Sequence, residues 1–264
     1  MDFIKVNGVL IHYRLVQSAP SPDRGDHTFV CINSLGTDFR IWDCVAAVLK
    51  DYGDILLFDK RGHGLSETVL STHGLLDYVE DTVALLHHFA IKKCTLIGLS
   101  VGGMIAQLLA YHHPGLVEKL ILCDTRHKIG NETAWNERIA DVKAEGLQSI
   151  AGSVIQKWFS ENFRLNEKDK VAGYRNMLEH SPVLGYIETC KAIRDADLTE
   201  IARQIKIPAL CIAGSEDKST TPEEVKNLAD LMEGSLYKII EGSGHIPCVD
   251  NPGILSELII DFIK

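Results

Sequence analysis

The stretch Gly98-Leu99-Ser100-Val101-Gly102 lies between an apolar run at Thr95-Ile97 and a helix-forming segment that ends near His112-His113-Pro114. A serine at the centre of G-x-S-x-G, with a strand before it and a helix after it, is placed as an exposed nucleophile. The flanking glycines suit a turn that strains the serine backbone and leaves no room for side chains. The helix that follows aims its free N–H groups at the same point, which favours a developing negative charge. The plainer alternative is a tight turn capped by a serine.

A serine hydroxyl is a weak nucleophile without a base, and the base needs an acid to orient it. Two later loops supply both. "IEGSGHIPCVDNP" follows the last apolar run and carries His245, and "IAGSEDKSTTP" follows the run before it and carries Asp217. The chain order Ser100, Asp217, His245 is that of a strand-turn-helix nucleophile in an open α/β sheet. Each residue falls just past the C-terminal end of a strand, where such sheets place their sites. Asp124, which also follows a strand, and Glu216, beside Asp217, compete for the role of the acid; position favours Asp217. His63 belongs to a turn, His87 and His88 to a helical segment, and His112 and His113 to a helix end, where surface or structural roles are expected.

Attack of a serine on a carbonyl creates an oxyanion that needs two backbone N–H donors. One belongs to the residue after the nucleophile, Val101, and the other to a loop after an early strand. "INSLG" breaks off the apolar run Thr28-Ile32, and Leu35 is the expected donor. An ordinary strand-to-helix connection is the alternative for that loop. "DKRGHGLS", Asp59 to Ser66, follows another strand and is expected to be a structural turn whose Asp and Arg brace neighbouring loops.

These loops need a scaffold. Alternating segments at Phe3-Val6 and Val9-Leu15 flank Asn7-Gly8, a hairpin signal. Apolar runs at Thr28-Ile32, Ile55-Phe58, Thr95-Ile97, Leu120-Cys123, Ala209-Ala213 and Leu236-Ile240 then alternate with helical stretches. Near-continuous apolar strands separated by helices mean a largely parallel sheet covered on both faces, an α/β protein with eight strands. From 126 to 194 the strand signals vanish and charged amphipathic segments take over. That segment is expected to be a helical cap inserted into a core made of 1–125 and 195–264.

The 264 residues allow one large domain with a substantial core. A net charge of -9, with charges interspersed, argues against a nucleic-acid groove or an anionic membrane surface and leaves small molecules as the expected partners. Seven cysteines form no C-x-x-C and several sit in apolar runs, as reduced core thiols would. With no signal-peptide pattern and no membrane-length apolar run, a cytoplasmic protein is expected.

Over its whole length the chain resembles the α/β-hydrolase superfamily, and more closely the 3-oxoadipate enol-lactonases. The closer likeness is carried by "NSLGTDFRIWD", "GLSVGGMIAQ", "AWNERIADVKAEGL", "KWFSENF", "GYIETCKAIRDADL" and "AGSEDKSTTP". Val101 and Ala106 depart conservatively from the residues expected after the nucleophile in that family. The resemblance implies an α/β-hydrolase fold and a serine hydrolase that opens 3-oxoadipate enol-lactone to 3-oxoadipate in the β-ketoadipate pathway of aromatic-compound catabolism. It implies no metal and no organic cofactor. Dehalogenase and epoxide-hydrolase chemistry is disfavoured, because those relatives carry an Asp nucleophile where this chain has Ser100. Rival readings are a carboxylesterase or perhydrolase acting on small esters, and a slow-turnover small-ligand receptor that keeps the triad.

The implied substrate bears a free carboxylate, which calls for a cation near the site. Arg138 is spaced to share a helical face with Trp135, Arg126 opens the cap directly after a strand, and Arg194 is a third choice. Trp135 and Trp158 are candidates to line the pocket, with packing as their alternative role.

Overall fold

In the computed structural model, which describes residues 2–18 and 27–264, the eight apolar runs pair into one sheet. The strands are β1 (Asp2–Val6), β2 (Val9–Val16), β3 (Thr28–Ile32), β4 (Asp54–Phe58), β5 (Cys94–Leu99), β6 (Val117–Cys123), β7 (Ala209–Gly214) and β8 (Leu236–Ile240). Their order is β1-β2-β4-β3-β5-β6-β7-β8. Asn7 and Gly8 both take positive φ, 48° and 81°, which is what a two-residue hairpin turn matching strand twist requires. β1 and β2 therefore pair antiparallel, and β2 joins β4 antiparallel. The remaining neighbours are parallel, from β4-β3 through β7-β8.

Helices cover this sheet because each parallel step needs a crossover. They are α1 (Asp43–Leu49), α2 (Leu75–His88), α3 (Val101–His112), α4 (Glu132–Glu145), α5 (Gln148–Trp158), α6 (Glu161–Asn166), α7 (Lys168–Glu179), α8 (Val183–Arg194), α9 (Thr199–Gln204), α10 (Pro222–Leu231), α11 (Pro247–Asp250) and α12 (Pro252–Ile263). β5 and α3 are buried along nearly their whole length, since they run through the centre with neighbours on both sides. Among the described residues, no helix is long and apolar enough to cross a membrane.

The segment 126–194 holds α4 to α8, between β6 and β7. Asn131 caps α4 by accepting from Ala134 N at 3.0 Å, and Gly146 ends the helix with φ 78°. The helices seat on the core through a close backbone approach. A Cβ on Gly185 of α8 would lie 2.0 Å from the Gly62 carbonyl oxygen, so α8 rests directly on the turn of the "DKRGHGLS" stretch. That turn is braced as its residue types suggest. Asp59 accepts from Phe39 N at 2.8 Å and Leu65 N at 2.9 Å and pairs with His12 Nδ1 at 2.7 Å. Arg61 grips Asp81 through two hydrogen bonds of 2.7 Å.

Candidate active site

Ser100 stands where β5 hands over to α3, with φ 56° and ψ -119°. A positive φ strains a residue that has a Cβ, so the surroundings must hold it. They do: Ser100 N donates to Cys123 O at 3.0 Å, and Ser100 O accepts from Thr125 Oγ1 at 2.6 Å and Gly103 N at 2.9 Å. The glycines of the motif answer to space. A Cβ on Gly98 would meet Gly102 O at 2.4 Å, and one on Gly102 would meet Ile32 O at 2.3 Å. The elbow is thus packed against the end of β3, which carries the Asn33-Gly36 loop.

His245 and Asp217 come from two loops tied to each other, Glu216 N donating to Ser243 O at 2.8 Å. Gly244 N donates to Asp250 Oδ2 at 2.6 Å and Ile246 N to Trp158 O at 3.1 Å, so the histidine is held from both sides. His245 Nδ1 lies 2.7 Å from Asp217 Oδ2. With that nitrogen donating, Nε2 is left with the lone pair that a general base uses. Asp217 also accepts from Ser219 N at 2.6 Å and Thr220 Oγ1 at 2.7 Å. Burial raises its pKa, but the adjacent His245 charge and these hydrogen bonds outweigh it, and the carboxyl titrates below its usual range. Asp217 is therefore the ionised partner. Thr220, which no sequence pattern singled out, also sits 3.3 Å from His245 Nδ1.

The competing acids go elsewhere. Glu216 accepts from Glu161 N at 2.9 Å. Asp124 is fully buried at the end of β6 with φ 43°; its Oδ1 accepts from Gly214 N at 2.7 Å, and its Oδ2 has no partner among the described residues. Burial, and after it the Asp217 charge, push the Asp124 carboxyl well above its usual range, opposite to Asp217. Asp124, Asp217 and His245 bring one donor atom each within 4.8 Å, a spacing that a metal would accept. Two of those residues are engaged with each other at hydrogen-bond distance, which is the arrangement of an acid and base rather than of two free ligands.

Ser100, His245, Ser34 and Leu35 open onto one pocket of about 180 Å³. Pockets for drug-sized ligands run to roughly 300–1,000 Å³, so this one suits a small substrate. Leu35 borders this pocket and Val101 does not: Val101 is fully buried at the first position of α3, directly after Ser100. The roof comes from α4, α5 and α8, with Trp135, Arg138, Trp158 and Tyr186 among its residues. Trp135 combines both of its expected roles: it lines the pocket and its Nε1 donates to Ile129 O at 2.8 Å.

The three arginines separate. Arg138 lines the pocket, its guanidinium lies 5.3 Å from the centre of the Trp135 ring, and it has no carboxylate partner among the described residues. Arg126 does not line the pocket and is paired with Glu224 of α10. Arg194 is outside it as well, bonded to Asp195 and to Asn136 Oδ1. Lys157 and Lys218, which the sequence did not single out, also border the pocket. Their signal was absent because each sits in an ordinary polar helix or loop, and only packing turns it to the cavity.

Residues 27–252 match the family described as the alpha/beta hydrolase fold. The chain is 31% identical over 263 residues to 3-oxoadipate enol-lactonase 2 of Acinetobacter baylyi, covering 100% of this chain and 96% of that protein. It is 30% identical to 3-oxoadipate enol-lactonase 1 of the same organism, across 88% of this chain and 86% of the relative. The crystal structure of the enol-lactonase from Burkholderia xenovorans LB400 superposes with a TM-score of 0.94 at 30% identity, covering 99% of each chain. With that likeness added to its strand order and nucleophile turn, the chain belongs to the α/β-hydrolase fold family, is a hydrolase, and is similar along its length to the 3-oxoadipate enol-lactonases.

Proposed function

We propose that the protein hydrolyses 3-oxoadipate enol-lactone to 3-oxoadipate by a serine mechanism, as a cytoplasmic step of the β-ketoadipate pathway. The observation that carries this reading is the pairing of His245 Nδ1 with Asp217, with Ser100 and Arg138 on the same pocket. The names of the similar proteins supply the lactone. Seven free cysteines fit a reducing compartment.

In the first half-reaction, Ser100 Oγ attacks the lactone carbonyl while its proton passes to His245 Nε2. Charge grows on the carbonyl oxygen, which the Leu35 and Val101 N–H groups receive. Collapse breaks the ring C–O bond; the leaving enolate takes the proton from His245 and settles as the ketone. In the second, water loses a proton to His245 and attacks the acyl-enzyme, and Ser100 leaves with that proton. Asp217 stays ionised throughout and stabilises the imidazolium. Arg138 receives the carboxylate that the substrate carries from the start.

The test is hydrolysis of freshly generated enol-lactone followed by ultraviolet absorbance, with Ser100→Ala as the control for spontaneous opening. Turnover abolished in Ser100→Ala is expected. Equal traces for the two proteins, with a short acyl ester still turned over by the unaltered chain, would refute the lactone and leave a small-ester hydrolase.

A further inference from the structure

A peptide unit is planar and trans, so its C=O and N–H point in opposite directions. Whatever holds the carbonyl also aims the N–H. The two N–H groups to which the proposed mechanism gives the oxyanion belong to the Ser34–Leu35 and Ser100–Val101 peptides. Both carbonyls are gripped from behind by buried side chains. Lys60 Nζ donates to Ser34 O at 2.6 Å, and Thr125 Oγ1 donates to Ser100 O at 2.6 Å. Neither side chain borders the pocket.

We propose that Lys60 and Thr125 are positioning residues for hydrolysis, holding the two anion-hole peptides from their carbonyl side without touching substrate. A fully buried lysine is rare unless paired, because its amine is costly to desolvate. Among the described residues, Lys60 has no unoccupied carboxylate to pair with. The carboxylates that face it are occupied: Asp59 by His12 and two backbone N–H groups, and Asp38 by Arg40. His63 lies nearby, and burial, and after it the Lys60 charge, push its imidazole well below the usual range. Burial pushes the amine well below the usual lysine range, with Asp59 and Asp38 opposing. Among the described residues, the Ser34 carbonyl is its single hydrogen-bond partner. Thr37 Oγ1 gives that same oxygen a second donor at 3.0 Å. Donors on a carbonyl polarise the peptide and strengthen its N–H toward an anion, besides fixing its direction.

The inference rests on the serine mechanism proposed above, but not on the lactone as substrate. Lys60→Met and Thr125→Val remove the two donors while keeping bulk. They are assayed on p-nitrophenyl acetate and on the enol-lactone, with phenylboronic acid as a mimic of the tetrahedral adduct. Removing an anion-hole donor outright costs about 10²–10³ in kcat, so loosening its support is expected to cost about ten- to thirtyfold. KM stays within about twofold, and the inhibition constant of phenylboronic acid rises in step with the loss of kcat. A purely packing role lowers the melting temperature and leaves kcat and boronate affinity unchanged; that result in either variant overturns its assignment. Should Lys60→Met lack a cooperative melt, Lys60→Gln, polar but too short to reach Ser34 O, takes its place with the same expectations. Full ester turnover in Ser100→Ala would sink the mechanism itself. An ester loss without any lactone activity would sink only the substrate.

Discussion

Replacing Arg138 by methionine separates charge recognition from catalysis. The guanidinium borders the pocket with no carboxylate partner among the described residues, so the substrate carboxylate would be its first anionic partner. A hydrogen bond to a charged group contributes about 1.5–3 kcal/mol, a factor of roughly ten to a hundred in binding. Arg138 is only half-buried, and Lys157 and Lys218 on the same pocket retain part of the attraction, so the lower end applies. Arg138→Met is therefore expected to raise KM for the enol-lactone about tenfold, with kcat nearly unchanged. The contact with the Trp135 ring at 5.3 Å contributes about 0.5–1 kcal/mol to stability, too little to unfold the chain when lost. The assay compares kcat/KM for the lactone acid with that for its neutral methyl ester in each variant. Arg126→Met and Arg194→Met serve as references, since both arginines are paired outside the pocket. An equal loss on acid and methyl ester, or a larger selective loss in Arg126→Met, would refute the assignment.

The buried carboxyls predict opposite responses to pH. Asp124 is raised, so its stabilising contribution is complete below its unfolded pKa and is lost as pH climbs toward the folded value; Asn at 124 has no proton to lose. Urea midpoints should show Asp124→Asn gaining on the unaltered protein between pH 5 and 8, at up to about 1.4 kcal/mol per pH unit; a constant difference would mean that Asp124 ionises normally. Asp217, held low, contributes above its unfolded pKa and loses that contribution as pH falls through its folded value, so Asp217→Asn should lose its stability deficit in acid. Finally, Gly102→Ala would press a methyl to 2.3 Å from Ile32 O and 3.0 Å from Asn33 O. Backbone must move at the anion loop, and we expect a cost of about 1–3 kcal/mol in chemical denaturation together with a large loss of kcat. Unchanged activity would show that the Asn33-Gly36 loop tolerates displacement.

Much of the scaffold was legible because the signals are local. Asn7-Gly8 needs no distant partner to form a hairpin turn, and parallel strands buried on both faces read as apolar runs, as Phe29-Ile32 and Leu96-Leu99 do. The elbow at Ser100 was legible for the same reason, since its glycines answer to the immediate crossing of β5, α3 and the end of β3. The loops bearing Asp217 and His245 could be placed at strand ends from chain order.

Which groups meet across those loops is a property of packing. Asp124 and Asp217 both follow central strands, and their donor atoms lie within 4.8 Å of each other and of His245. Only the side-chain directions decide that Asp217 takes Nδ1 while Asp124, bonded to Gly214 N, has its carboxyl pushed up by burial. The arginines show the same limit. Arg126 and Arg138 look equally available along the chain, but α10 brings Glu224 to the first, and the seating of α4 beside α8 turns the second to the pocket. Lys60 was hidden inside a turn whose Asp and Arg drew attention, and nothing in "DKRGHGLS" says that its amine reaches a carbonyl 26 residues earlier in the chain. Periodicity and turn chemistry are written in neighbouring residues, so the sequence alone determined the sheet, the elbow and the reaction class it suits. Ionisation, ion pairing and the aim of a peptide N–H depend on atoms brought together from distant segments, and those the tertiary structure decided.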